Sequence, residues 1–530
     1  MIRNKKKSVV IVGAGLAGLS AACYSIINGY ETTLIERHHT AGGYATKWTR
    51  KGYTFDGAMD WLNGINLNEK DSLMWQELGL LKGRKVRFFD NICKVKDRDG
   101  KIHTFWADID RMETELLQLT AIQEDKRRIH RLCNDIRKLA KAPSIEFTVP
   151  DTLMSWKDKL KLLWKFLPYM RILIEYNAIL SKDYAAQYKD PLLAEVMSYS
   201  YFDPAMPQSQ FTMVYQMVGM IKKTLGFTQG GGHGVSEHLS NLFEHMGGRL
   251  LLNTPIAKIL TKNNQAVGVE TKKGEIVNAD YIITACDGRT VIYNMLDGRY
   301  TNQHVEKVYQ QCEVYPSLFR IYYGVDMDFS REPHTMIHLL PYSLDIPGLY
   351  KGHVKNSICV RHYCGLDSSF APQGKSVVNT FFFSDYDYWK TLRDIDINQY
   401  KKKKQDIVDL VTAEIEKLYP GFTDRIEVIS AATPTTYERF TGNHRGSIKG
   451  WLDDGTVVSD YLKKFGMRLP GLDNFYMIGA WVSHGGMIRV VASGRHVIQT
   501  LCKRNRKPFH THIPRSFATT MSDIQAPVHA

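Results

Sequence analysis

The 530-residue sequence has no Cys-x-x-Cys pair among its eight cysteines, no metal-ligand spacing, no internal repeat and no apolar segment of membrane-spanning length. The first two absences exclude a disulfide scaffold and a zinc-type centre. Cys23, Cys93, Cys133, Cys286, Cys312, Cys359, Cys364 and Cys502 therefore read as free thiols of a reducing compartment, and no metal is expected. No secretory h-region precedes the first apolar run, so the expected location is cytoplasmic, at most peripheral on a membrane surface. Lys and Arg outnumber Asp and Glu by 69 to 55, a net charge of +14, yet no interleaved aromatic and basic motif accompanies the excess. Lys5 to Lys7 and Lys401 to Lys404 read as solvated surface, and no nucleic-acid partner is expected.

The composition, 44% hydrophobic and 23% charged, is that of a globular chain long enough for two domains. Ser8 to Val12 is a β-branched run, Leu16 to Asn28 a helix stopped at Gly29, and Thr32 to Ile35 a second strand ending at Glu36. Inside that unit Gly13, Ala14, Gly15, Leu16, Ala17 and Gly18 form a Gly-x-Gly-x-x-Gly turn. Gly13 allows the tight bend, Gly15 admits a diphosphate to the backbone, and Gly18 lets helix and strand approach. Glu36 stands where an acid binds a ribose hydroxyl, which completes a dinucleotide-binding fingerprint. Arg37 is placed to meet phosphate, and the doublet Gly42-Gly43 suits a second close pass of backbone along the cofactor. These features favour FAD over NAD.

From about Asp110 to Lys223 long periodic stretches predict a helical insertion, with Ser155 and Asp158 as a helix cap and Pro168 as a break. Met154 to Tyr176 is basic and amphipathic, and reads as a lid on the substrate sheet in preference to a segment lying in a lipid interface. Near the C-terminus, Phe475 to Lys503 reads as a strand ending at Gly479, a turn at Gly485-Gly486, and a helix from Met487. Such a helix start, with Gly479, Ala480, Gly486, Met487 and Ile488 around it, would stabilise negative charge on a reduced ring. His484 and Arg489 flank the turn as candidate catalytic residues, Arg489 anchoring an acidic substrate or lying on the outer helix face, and His484 acting in catalysis or sitting on a loop. Asp60 and Trp61 are candidates for the substrate pocket, with core packing as the other role for Trp61.

The fingerprint, the Gly42-Gly43 doublet, Phe55-Asp56-Gly57, the run Gln229 to His238, Pro316 to Val325, Tyr388-Trp389, Thr433 to Gly442 and the C-terminal strand-turn-helix ending in Ser493-Gly494 together resemble one family. It is the FAD-dependent phytoene desaturase, carotenoid isomerase and retinol saturase group of the flavin amine oxidase superfamily. Tyr44 departs from the Arg that often follows the doublet, and Gly57 comes one position early. The resemblance implies that the Ala257 backbone meets the adenine and that Tyr44 lies by the cofactor. It also implies an α/β fold, a Rossmann-type FAD-binding domain interleaved with a mixed-sheet substrate domain and a helical cap. The expected layout is 1–108, 224–288 and 441–508 for the cofactor domain, 109–223 for the cap, 289–440 for the substrate domain and 509–530 for an extended tail. The implied chemistry is formation or reduction of C=C bonds in a long apolar polyene, isoprenoid or lipid-like substrate, by hydride transfer with flavin N5. The electron donor or acceptor is left open. Flavin-dependent cis/trans isomerisation, amine oxidation (which Ala480 disfavours) and flavin-free prenyl binding of the GDP-dissociation-inhibitor type stand as alternatives.

Overall fold

The computed structural model describes residues 6–58, 60–144, 146–353, 355–452, 466–483 and 485–513. Ser8–Val12 is buried along its last four residues, as a strand covered on both faces must be. It pairs in parallel with Glu31–Ile35 on one side and Tyr281–Thr284 on the other. Arg249–Leu251 and Phe475–Met477 complete a five-stranded parallel sheet drawn from the beginning, middle and end of the chain. Strand order reverses between Ser8–Val12 and Tyr281–Thr284, so their carboxyl ends flank the crevice in which sheets of this kind hold ligands.

Leu16–Ile27 crosses the C-terminal helix Met487–Arg504 closely because both helices present small residues there. A Cβ on Gly494 would lie 2.6 Å from the Ala17 carbonyl oxygen and from the Ala21 nitrogen. That contact is the structural reason for the Ser493-Gly494 element.

The second sheet has seven strands in the order Ile426–Ala432, Ser317–Val325, Ser376–Ser384, Lys355–His362, Thr335–Leu344, Asn91–Lys96 and Ile102–Trp106. Neighbours run antiparallel except Thr335–Leu344 beside Asn91–Lys96. Asn91–Lys96 and Ile102–Trp106, expected in the cofactor half, thus extend the substrate sheet. Their pairing partner lies some 240 residues downstream, which local periodicity does not encode.

The cap helices Gln123–Ala140 and Gln210–Ile221 share one core with this sheet: Ile129, Leu132, Met213 and Met217 belong to the same apolar cluster as Tyr322, Ile337 and Phe381. Ser155 and Asp158 form a reciprocal capping box at the start of Trp156–Phe166, and Pro168 sits in the 3₁₀ turn Leu167–Tyr169 that separates it from Met170–Asn177. Of the segment expected as a lid, Met154 to Tyr176, only the second half packs inward, with Ile172 and Tyr176 buried in the cluster shared with the seven-stranded sheet. No residue of Trp156–Phe166 is buried. All eight cysteines are free, and among the described residues no helix is long and apolar enough to cross a membrane. Of the expected tail, residues 514–530 lie outside the described ones, and His510 is tied back by its amide to the Asn28 side chain at 2.7 Å.

Candidate active site

A cavity of about 810 Å³ opens at the carboxyl ends of the parallel strands. Its wall includes Gly13, Gly15, Leu16, Ala17, Glu36, Arg37, Gly43, Tyr44, Gly479 and Ala480. Two separate glycine turns of the sequence therefore meet on one space.

The fingerprint loop is held open by backbone chemistry. Gly13 has φ +101°, a conformation that only glycine adopts readily, and its amide donates to the Ile35 carbonyl at 2.7 Å. Gly42 has φ +122°, donates to the Ala14 carbonyl at 2.8 Å, and leaves no room for a side chain, since a Cβ would sit 2.5 Å from the Ala45 oxygen. Gly43 lies directly over Gly15, where a Cβ would come within 3.2 Å of the Gly15 Cα. A Cβ on Gly15 itself would meet nothing within 4 Å, so its open face looks into the cavity. Ala14 and Gly18 turn inward instead. Ala14 is fully buried, and a Cβ on Gly18 would collide with the Gly13 carbonyl. Leu16–Ile27 begins with neither a capping side chain nor an acid in its first turn, leaving its amides and positive dipole end to an anion in the cavity.

Glu36 is buried, with Oε2 accepting from the Ala14 amide at 2.8 Å and Oε1 from the His38 amide at 2.9 Å. This fixes the carboxylate at the strand end and leaves lone pairs for a hydroxyl. Arg37 donates to the Arg439 carbonyl, and Gly442 packs flat against its guanidinium. The wall also carries Lys47, Arg50, Lys272, Lys404 and Arg439, which with Arg37 make six cations against two acids, Glu36 and Asp287. Such an excess suits the two charges of a diphosphate. Lys404 corrects the expectation of a solvated run: it is half-buried in the wall, and burial followed by repulsion from Arg439 and Arg50 pushes its ammonium below the usual lysine range.

At the strand Ile256–Lys262 the wall is Thr254, Pro255 and Ile256, one residue ahead of Ala257. At the opposite side Tyr44 lies 5.5 Å from Tyr437, with Trp48, Gly57 and Trp481 nearby in the wall. Burial pushes the Tyr44 hydroxyl well up and the Cys286 thiol up to about 12, so both stay neutral. The C-terminal helix begins after Gly486, φ +85°, again with no capping side chain and no acid in its first turn. Gly479, Ala480 and Val490 reach the wall, whereas Ile488 is buried against Gly64 and Met487 packs on the core of the cofactor half.

Asp60 and Trp61 lie outside that wall, one layer beyond it. The Asp60 carboxylate is 2.8 Å from Arg361 Nη1 and 3.5 Å from Arg320 Nη2, and accepts from the Tyr363 hydroxyl at 3.2 Å. Burial alone would raise its pKa. Arg361 and then Arg320 outweigh that and hold it below the ordinary carboxylate range. Arg320 Nη1 in turn donates to the Gly57 carbonyl at 3.3 Å, which links the cluster to the cavity. Trp61 stacks on Phe202 at 5.5 Å in the cap core. Asp56 is a clamp. Its Oδ2 accepts from the His233 amide at 3.1 Å, and a Cβ on Gly231 would fall 2.6 Å from the same oxygen.

Arg489 does not reach the cavity. It is exposed, with its guanidinium 5.8 Å from the centre of the Phe147 ring, on the outer face of its helix. His484 lies outside the described residues. Residues that the sequence did not single out for the wall include Lys404, Asp287, Tyr437 and Arg439. The last two belong to the Thr433 to Gly442 run, which was the available signal.

A cavity bounded by a bare helix start, a basic rim and an acid fixed at the second strand end, with a second bare helix start nearby, fits FAD. Residues 16–501 match the family described as flavin containing amine oxidoreductase, and the chain belongs to it. It is an FAD-dependent oxidoreductase. The chain is 24% identical to prolycopene isomerase 1, chloroplastic, of an Oncidium hybrid cultivar, over 83% of this chain and 74% of that protein. It is 23% identical to the lycopene-forming phytoene desaturase of a Paracoccus species, over 93% of this chain and 97% of that protein. A solved oxidoreductase from Methanosarcina mazei shares the fold, with a TM-score of 0.59 at 17% identity over 93% of this chain and 100% of that one.

Proposed function

We propose that this enzyme forms or reduces C=C bonds in a long apolar substrate of the polyene or isoprenoid class, and that Gly13, Gly15, Glu36, Arg37, Gly43 and the starts of Leu16–Ile27 and Met487–Arg504 hold its FAD. The observation that carries the substrate class is the state of the two acids in the cavity wall. Glu36 is engaged by the Ala14 and His38 amides, and Asp287 by the amides of Thr290 at 2.7 Å and His444 at 3.0 Å. Among the described residues these two are the only carboxylates of the wall and both are held by backbone amides, while the side around Tyr44, Trp48 and Tyr437 is aromatic. An uncharged chain fits that aromatic side. The names of the desaturase and isomerase relatives support the same class.

When bound, FAD supplies a two-electron acceptor or donor. The chain supplies alignment, exclusion of water and the fixed dipoles of two helix starts. The test is extraction of the apolar ligand that copurifies, followed by mass spectrometry of products from candidate polyenes. A change of two hydrogens supports desaturation or reduction. Unchanged mass with altered double-bond geometry establishes isomerisation in its place, and turnover of amines alone overturns the reading.

A further inference from the structure

Trp156–Phe166 breaks the ordinary rule for a surface helix, which turns its apolar stripe toward the protein. Trp156, Leu160, Leu163, Trp164 and Leu167 follow the i, i+4, i+7, i+8, i+11 spacing of one helical face, and they are 70%, 44%, 51%, 67% and 52% exposed. An eleven-residue helix is marginal in water, and here it has a capping box and one ion pair, Lys165 with Glu146 at 3.7 Å, but no buried residue to support it. Four lysines, Lys157, Lys159, Lys161 and Lys165, lie between the apolar residues, and the helix's one acid, Asp158, is used in the cap. Ile174, 62% exposed, extends the apolar surface onto the next helix.

We propose that Trp156–Leu167 is a docking element for an anionic lipid surface. It lies in the plane of the interface, its leucines in the acyl boundary and Trp156 and Trp164 at the headgroup level. Tryptophan favours that level because its ring is apolar and its N–H is not, and lysine stems follow apolar surface while their ammonium groups stay in water. The lysines decide between lipid and protein as occupant. Lys157, Lys159 and Lys161 contribute attraction to anionic headgroups, which an exposed apolar stripe alone would not favour over a protein surface. The element is fastened to the cofactor half just upstream. The Phe147 carbonyl accepts from His496 Nε2 at 2.8 Å, the Thr148 carbonyl accepts from Gln499 Nε2 at 3.0 Å, and Arg489 covers the Phe147 ring. Arg489 therefore belongs to the fastening of this element, and the docked face is in fixed relation to the flavin-side helix.

The experiment uses the full FAD-loaded chain with vesicles of phosphatidylcholine alone and of phosphatidylcholine mixed with phosphatidylglycerol. The expected result is cosedimentation with the mixed vesicles, a blue shift of tryptophan emission and release by high salt. Replacing Trp156, Leu160, Leu163, Trp164 and Leu167 together by Ser should lower vesicle binding on the order of tenfold or more, with unchanged flavin absorbance because none of these residues is buried or lines the cofactor cavity. Lys157→Glu with Lys159→Glu, Lys161→Glu and Lys165→Glu should abolish the preference for anionic vesicles. Equal vesicle binding by the Ser variant overturns the proposal. So does a wild-type dimer that the same substitutions convert to monomer without any vesicle binding, which would make a second copy the occupant. Flavin absorbance is read separately, so either outcome leaves the catalytic reading standing or failing by its own test.

Discussion

Leu16–Ile27 buries eleven of its twelve residues, whereas Trp156–Phe166, a helix of nearly the same length, buries none. The difference lies in what each helix answers to. The first is written by its neighbours: Gly18 fits beneath the Gly13 carbonyl, Ala17 and Ala21 accommodate Gly494, and its bare start faces an anion site. The second carries an apolar stripe that no neighbour answers, together with lysines suited to a charged surface outside the chain. Substitutions in the two helices should therefore act on different observables, the first on folding and flavin, the second on location.

The sharpest break in that comparison comes at Gly18. In Gly18→Val the new side chain has no escape from the Gly13 backbone, so the variant should lose ~4 kcal/mol or more and fail to accumulate as folded, yellow protein. Soluble expression with normal flavin absorbance would count against the packing described. Gly15→Val should behave differently. Its φ of −70° is ordinary and a Cβ meets nothing within 4 Å, so the chain keeps its far-ultraviolet circular dichroism while the side chain occupies the diphosphate space. FAD affinity should fall on the order of a hundredfold, and the rise in melting temperature that added FAD gives the wild type should disappear. Full retention of flavin would move the diphosphate away from Gly15.

Legibility follows the same division. The fingerprint was readable because its strand, turn, helix and acid occupy some thirty consecutive residues and each type has a local geometric reason. The cationic rim was not, because Arg37, Lys404 and Arg439 meet only after residues some 400 positions apart fold together. Lys404 looked like surface because a run of four lysines is solvated by default, yet one member of a helical run must face inward. The seven-stranded sheet hid its edge for a related reason: Asn91–Lys96 finds its partner at Thr335–Leu344. At Trp156–Phe166 the stripe itself was plain, but periodicity states only that a helix has two faces and is silent on which of them meets protein. For the same lack of an inside and an outside, both readings of Arg489 stood open in the sequence, and the structure places it on the outer helix face.

On the cap side the strongest effect should come from the charge cluster beyond the cavity. Asp60→Asn leaves Arg320 and Arg361 buried without their carboxylate, and breaking such a cluster costs ~3 kcal/mol. The pH dependence has a definite sign. The folded-state pKa of Asp60 lies below its unfolded value, so its stabilising contribution is fully present above about pH 4 and is lost as pH falls through the lower folded value. Thermal melts between neutral and acidic pH should show the wild type losing part of its advantage over the Asn variant at the acidic end. A constant gap across the range would show that the carboxyl does not titrate differently in the fold.

The smallest effect in solution belongs to the exposed stripe, and its smallness is the point. Trp156→Ser with Trp164→Ser removes two large side chains that are 70% and 67% exposed, so the melting free energy should change by no more than ~0.5 kcal/mol per residue. The same removal from a packed face, where Trp75 and Trp389 are fully buried, should cost ~3 kcal/mol or more at either site. Thermal melts of the three variants in one buffer decide the matter. If the double change costs as much as a buried tryptophan, the helix has a protein partner in solution, and its contrast with Leu16–Ile27 is one of degree. If it costs almost nothing while the buried changes are severe, its apolar residues serve an environment that the folded chain does not provide.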